Sequence, residues 1–282
     1  MPLSSLPRNL IRQRETPEGL GILEGNIYLA GLVVKEIYKR MMKESKRIAS
    51  SSKCPSFYIE HENLLLMSKE IYNSNAEVLK CRDMVFKQLA DNLGHDMKHA
   101  EKVTIDIGVL VFIQGERQSL GSDQIKKAIV IAQLSGLLHD IKRKEPNHAD
   151  ASAKEARIKL RDFSLKEKEK EIIVQAISNH EAFIEPKKVS TLLGQLISDS
   201  LYDADKFRWG IDNFTETLWY MADFRGTPVE LIIEHFPRGL KGIREIKDTF
   251  RTDTGKKYGP EFIDLGLEVG EKIYDYLLRC ID

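Results

Sequence analysis

The chain is poor in the features that mark several protein classes. Its three cysteines, Cys54, Cys81 and Cys280, lie far apart and form no C-x-x-C pair. Neither a disulfide framework nor a thiolate zinc site is indicated, and a reducing, cytoplasmic compartment is expected. No run of about 18 apolar residues occurs, and Met1-Pro2-Leu3-Ser4-Ser5-Leu6-Pro7 lacks a long apolar h-region, which argues against membrane spanning and secretion. Charge of one sign is also missing, because Lys+Arg and Asp+Glu are both 43. No global field therefore draws the chain onto a nucleic acid polymer or an anionic membrane, and any anionic ligand must be held locally. Convincing strand pairs and internal repeats are absent too.

What the chain does have is helical periodicity over most of its 282 residues, enough to bury a sizeable core. Residues 1–24, with Pro2, Pro7, Pro17, Gly19 and Gly21, read as an irregular arm. Helical spacing begins with Tyr28, Leu32, Ile37 and Met41 and ends before Cys54-Pro55. Asn73-Ser74-Asn75 divides the stretch 57–92 into consecutive helices, and Gly94 is placed to terminate it. Asp96 is positioned to cap a helix on which His99, Val103, Ile107 and Leu110 share one face, so His99 points inward. Ser122 is the expected cap of the next helix, at whose end His139-Asp140 stands. A further helix follows His148, and Ser164-x-x-Glu167 reads as a capping box for the helix ending at His180. Leu193, Ile197, Leu201 and Asp205 fall four apart, so a carboxylate closes an apolar stripe and needs a partner. Thr227-Pro228-Val229-Glu230 reads as a capping box with proline at N1, and Pro260 as the opening of a last amphipathic helix.

Five of the seven histidines lie between residues 95 and 180, and His99, His139 and His180 sit on or at the end of apolar helical faces. Imidazole and carboxylate without thiolate suit iron, manganese, zinc or nickel, and this much histidine disfavours a magnesium-only cage.

The ordered set resembles the HD-domain superfamily, whose members carry a first His on one helix, an adjacent His-Asp on the next, and a distant Asp. Here these are His99 in His-Ala-Glu-Lys-Val, His139-Asp140 in Leu-Leu-His-Asp-Ile-Lys-Arg, and Asp205 in Asp-Ala-Asp-Lys-Phe. His148, opening His-Ala-Asp-Ala-Ser-Ala-Lys-Glu-Ala, and His180 in Ile-Ser-Asn-His-Glu resemble the second-metal residues of the subgroup that holds two ions. The resemblance covers residues 85–210. The Gly-Tyr-Pro signature of the cyclic-dinucleotide group is missing, which disfavours that substrate.

The resemblance implies an all-α fold, an HD-domain helical bundle spanning 85–210, with N-terminal helices (25–84) packed on it and a C-terminal helical extension (211–282). It implies one or two divalent transition-metal ions, the first on His99, His139, Asp140 and Asp205, with Asp140 bridging to a second on His148 and His180. The activity implied is hydrolysis of a phosphate ester or anhydride by a metal-activated water, with a small phosphorylated substrate such as a nucleotide. Lys142, Arg143 and Lys206, beside the ligands, would clamp the phosphate. Where relatives place an acid at Arg143's position as proton donor, this chain must use something else, metal-bound water or His95. Two alternatives stay open: a di-iron HD-type oxygenase on the same ligands, and a non-catalytic nucleotide- or partner-binding module whose metal serves structure.

Blander roles stand beside these. His95 and Asp96 are better read as capping and bracing a helix than as ligands. Asp203, two residues from Asp205, points off the apolar stripe as a surface acid or a rival ligand. Phe207, Trp209 and Trp219 can stack on a base, but aromatics in helical segments are more often core. The basic amphipathic stretch Lys35–Arg47 more commonly packs on the body or a second subunit than on a membrane. Lys166–Glu171 is a solvated face of alternating charge, and Gly255–Gly259 reads as a flexible basic loop.

Overall fold

Apolar residues repeating every three to four positions give each long segment one face to bury, and the described residues answer with helices and no strand. The structure is a computed structural model that describes residues 36–89 and 95–279. The fold is all-α. Helix α1 covers 36–49, followed by α2 (Ser56–Glu60), α3 (Glu62–Ser74), α4 (Ala76–Leu89), α5 (His95–Arg117) and α6 (Ser122–Leu138). Then come α7 (His148–Lys159), α8 (Glu167–Ser178), α9 (Leu192–Phe207), α10 (Leu218–Arg225), α11 (Val229–Glu245) and α12 (Asp253–Arg279). No helix is long and apolar enough to cross a membrane among the described residues.

The architecture is organised around α5 and α6. From Val103 to Val111 every residue of α5 is buried, and so is every residue from Ile131 to Asp140 at the end of α6, so neither helix keeps a solvent face there. Gly136 permits their close approach: a Cβ at that position would lie 2.8 Å from Thr104 Oγ1 and 2.9 Å from Thr104 Cα. Helices α3, α4, α8 and α9 pack around this pair, and α7 lies against α8. Helix α1 joins the C-terminal part, through Tyr38 donating to Thr227 O and Trp219 Nε1 donating to Ser45 Oγ at 2.9 Å.

Helix starts are set by hydrogen bonds that the local sequence only partly announces. Asn75 does stop α3 and cap α4, its Oδ1 accepting from the backbone of Glu77 and Val78 at 3.1 and 3.2 Å. Ser122 is not a cap, because Gly121 holds that position and its N–H donates to Gln124 Oε1 at 3.0 Å. Ser164 likewise yields to Lys166, whose N–H donates to Glu169 Oε2 at 3.0 Å. Pro228 is the N-cap residue of α11 and no side chain caps that helix. Pro260 lies inside α12, which opens at Asp253 because Thr252 Oγ1 accepts from Gly255 N at 2.8 Å. Gly255–Gly259 is therefore helix and not a loop, and Lys257 pairs with Glu60 at 3.1 Å. The expected arm (1–24), Gly94 and Cys280 lie outside the described residues.

Candidate metal centre

Five helix ends deliver the site. His99 lies in the first turns of α5, His139 is the C-cap of α6 with Asp140 next, and His148 opens α7. His180 stands just past the end of α8, and Asp205 is in the last turn of α9. His139, Asp140, His180 and Asp205 are buried, while the side chains of His99 and His148 keep 14% and 25% exposure and face an approach from solvent.

The donor atoms form two groups joined by one carboxylate. His99 Nε2 lies 3.2 Å from both His139 Nε2 and Asp205 Oδ1, and 3.7 Å from Asp140 Oδ2. His139 Nε2 lies 3.4 Å from Asp140 Oδ2 and 3.7 Å from Asp205 Oδ1. On the other side, Asp140 Oδ1 lies 3.4 Å from His180 Nε2 and 3.8 Å from His148 Nε2. Donors held about 2.0–2.2 Å from one ion stand roughly 2.8–3.6 Å apart at tetrahedral or octahedral angles, so these edges fit a common ion or lie just outside that range. The buried clusters His99–His139–Asp205 and His139–Asp140–His180 can each hold a metal ion.

Backbone carbonyls orient two of the imidazoles. His139 Nδ1 is 2.7 Å from Gly136 O and His180 Nδ1 is 2.6 Å from Ile177 O. A carbonyl only accepts, so Nδ1 carries the proton in each ring and Nε2 is left to act as the donor atom. Asp140 Oδ1 and His180 Nε2 are both buried without a hydrogen-bond partner. Orphaned atoms of this kind, nitrogen and oxygen with no thiolate, are the donor set a divalent transition metal takes.

Burial pulls the imidazoles of His99 and His148 down from their ordinary values. Burial acts the same way on His139, but the Asp140 and Asp205 carboxylates override it and lift this imidazole to about 10. Burial pushes both carboxyls up, yet Arg143 and His139 hold Asp140 well below the carboxylate range, and Lys206 and His139 do the same for Asp205. Both acids are thus ionised and ready to ligate.

The three cations expected to clamp phosphate divide into different roles. Arg143 reaches the centre, where its Nη1 donates to Asp140 Oδ2, and its side chain stays 35% exposed. Lys206 is buried, its Nζ 2.6 Å from Asp205 Oδ2 and beside the rings of Tyr202 and Trp209. It braces Asp205 and has no surface to offer a substrate. Lys142 points away, pairing with Glu145 at 3.0 Å in an i,i+3 surface contact that competes with any turn inward.

Asp203 is neither a surface acid nor a ligand. Fully buried, it accepts from Arg251 N and Thr252 N at 2.8 Å each and from Thr252 Oγ1 at 2.7 Å, fixing the start of α12. Phe207 and Trp219 are core, and Trp209 is partly buried beside Lys206. His95 opens α5, but its side chain and that of Asp96 lie outside the described residues. Sequence reasoning passes over Arg251, which donates to Asn179 O at 2.9 Å and stacks 3.7 Å from the Tyr202 ring. It thereby ties the residue before His180 to α9, a link between positions 72 apart that no local pattern signals.

No protein-family model, curated protein or solved structure matches the chain.

Proposed function

We propose that this chain is a metal-dependent phosphohydrolase of the HD superfamily that cleaves a phosphate ester or anhydride, with a nucleotide as the substrate class. The observation that carries the reading is Asp140 offering one carboxylate oxygen to His99 and His139 and the other to His148 and His180. That is the arrangement of a bridging ligand in a two-ion centre. A divalent ion bound there supplies an acidified water and polarises a phosphoryl oxygen.

The chain's own residues do the rest. Asp205, braced by Lys206, and His139, tethered to Gly136 O, are held rigidly, which preorganises the site. Arg143, half-exposed at the rim, is the cation able to turn from Asp140 to a substrate phosphate and offset charge as the P–O bond breaks. In the net reaction the oxygen of water joins phosphorus, and its proton leaves with the departing oxygen.

The full chain loaded in turn with Mn, Fe, Zn or Ni should release phosphate from a panel of nucleotides and phosphoesters, and Asp140→Ala should not. Silence across the panel with every metal sinks the reading. Four histidines and two aspartates suit iron equally, so a di-iron oxygenase is the second reading. Product formation by the iron form that stops without dioxygen would favour it. The partial exposure of His99 and His148 speaks against a purely structural metal, whose site is normally closed.

A further inference from the structure

A second cavity lies one helical turn from the metal centre and contains none of its ligands. It has a volume of about 620 Å³ and opens between α3, α5, the end of α9 and α12. That size is ordinary for a small-molecule site, roughly 300–1,000 Å³. Leu65, Leu66, Ile105, Ile211 and Leu265 line it.

The polar part of the wall is a closed ionic chain. Arg208 Nη2 donates to Asp106 Oδ2 at 2.7 Å and to Tyr58, and its Nη1 donates to Asp212 Oδ2 at 2.7 Å. Asp212 Oδ1 in turn accepts from Lys102 Nζ at 2.8 Å. Every lining charge of this chain is matched by an opposite one, and the rim adds one of each sign, Glu62 and Lys69. The lining carries three cations and three anions, so a charged ligand would lose its hydration here without meeting a surplus of opposite charge. An uncharged ligand meets no such penalty. Its apolar body fits the aliphatic wall, and a carbonyl oxygen can accept from Lys102, whose side chain is 40% exposed and whose ammonium has three N–H donors.

We infer that this cavity binds an uncharged small molecule with an apolar body and a hydrogen-bond acceptor, at a site separate from the metal centre. The site stands whether or not the chain is a hydrolase.

The test is a fluorescence titration of the full chain with prodan, an uncharged naphthalene bearing a carbonyl. Blue-shifted emission should saturate at one probe per chain. Leu265→Trp and Leu65→Trp, which fill the cavity from two different helices, should each weaken binding by about tenfold or more, and Lys102→Met by several-fold. Leu278→Trp, on the exposed end of α12, should bind as wild type. Circular dichroism and unchanged metal uptake establish that each variant is folded, and either filling variant suffices. The inference is overturned by unsaturable or multi-site binding, or by a folded filling variant that binds prodan like wild type.

Discussion

Asp140 Oδ1 stands 3.4 Å from His180 Nε2, and neither atom is satisfied by a hydrogen bond. His180 Nδ1 donates to Ile177 O, which leaves Nε2 as the ring atom turned toward the carboxylate. A metal ion between these two buried, unpartnered atoms would satisfy both. His180→Ala should therefore remove one ion and leave the His99–His139–Asp205 group loaded. Asp140→Ala should impair both groups, with turnover falling by about 100-fold or more, beyond what most outer-shell changes cost. Metal counting by plasma emission on dialysed protein checks both, and a wild-type stoichiometry in His180→Ala would refute the two-group arrangement.

Lys206 is buried at 3% exposure against Asp205 Oδ2, the oxygen opposite the one facing the histidines. Its charge, together with the His139 and His99 rings, offsets the burial that pushes this carboxyl up. Lys206→Met should remove the buried partner of Asp205 Oδ2 and cost about 3–5 kcal/mol. A bound ion partly replaces the lost charge, so the drop in thermal midpoint should be larger in chelator than in metal. Equal drops in both conditions would remove Lys206 from the support of the centre.

How much of this was legible in the sequence depends on how far apart the interacting residues lie. Asp205 could be placed because Leu193, Ile197 and Leu201 precede it at helical spacing, and the same periodicity announced the all-α fold. Asp203 could not, because the N–H groups it satisfies belong to residues 48 and 49 positions downstream. Ser122 and Ser164 looked like caps by type, but Gln124 and Glu169 bond back one turn and make Gly121 and Lys166 the N-cap residues. Lys142 and Arg143 are adjacent in sequence yet diverge, one toward Glu145 and one toward Asp140. Adjacent residues on a turn face different ways, and charge type alone does not say which faces the site.

Protons compete for the centre. The Asp140 and Asp205 carboxylates overcome burial and raise His139 to about 10, so protein stripped by chelator carries an imidazolium there at neutral pH. Metal must displace that proton from Nε2, since Nδ1 stays committed to Gly136 O. Affinity should rise by about tenfold per pH unit between pH 6 and 8, with at least one proton released per chain. Calorimetry in two buffers of different ionisation heat measures this, and a pH-independent affinity would contradict it. The stabilisation from this raised value is fully present below the unfolded value of 6.5 and fades as pH climbs through about 10. Stripped protein should accordingly lose stability on the alkaline side through this group.

Gly136 does two things for His139 that no larger residue can do together. Its carbonyl accepts from His139 Nδ1 at 2.7 Å, and its bare Cα lets α6 approach the backbone of Thr104 on α5, the helix that carries His99. In Gly136→Ala the new methyl would stand 2.9 Å from Thr104 Cα, and a backbone atom cannot turn aside as a flexible side chain can. The helices must separate, at a cost of about 1–3 kcal/mol. That movement would also lengthen the 3.2 Å separation of His99 and His139. A ligand pair opened by even a few tenths of an ångström holds an ion less well, so Gly136→Ala should weaken metal binding as well as lower the denaturant midpoint. Gly115→Ala is the matched control: it crowds Ile125 on α6 at 2.9 Å, but the contact is with a side chain, at the far end of α5 from His99. It should lower stability without changing metal affinity, and equal losses of affinity in the two variants would show that Gly136 has no particular role at the centre.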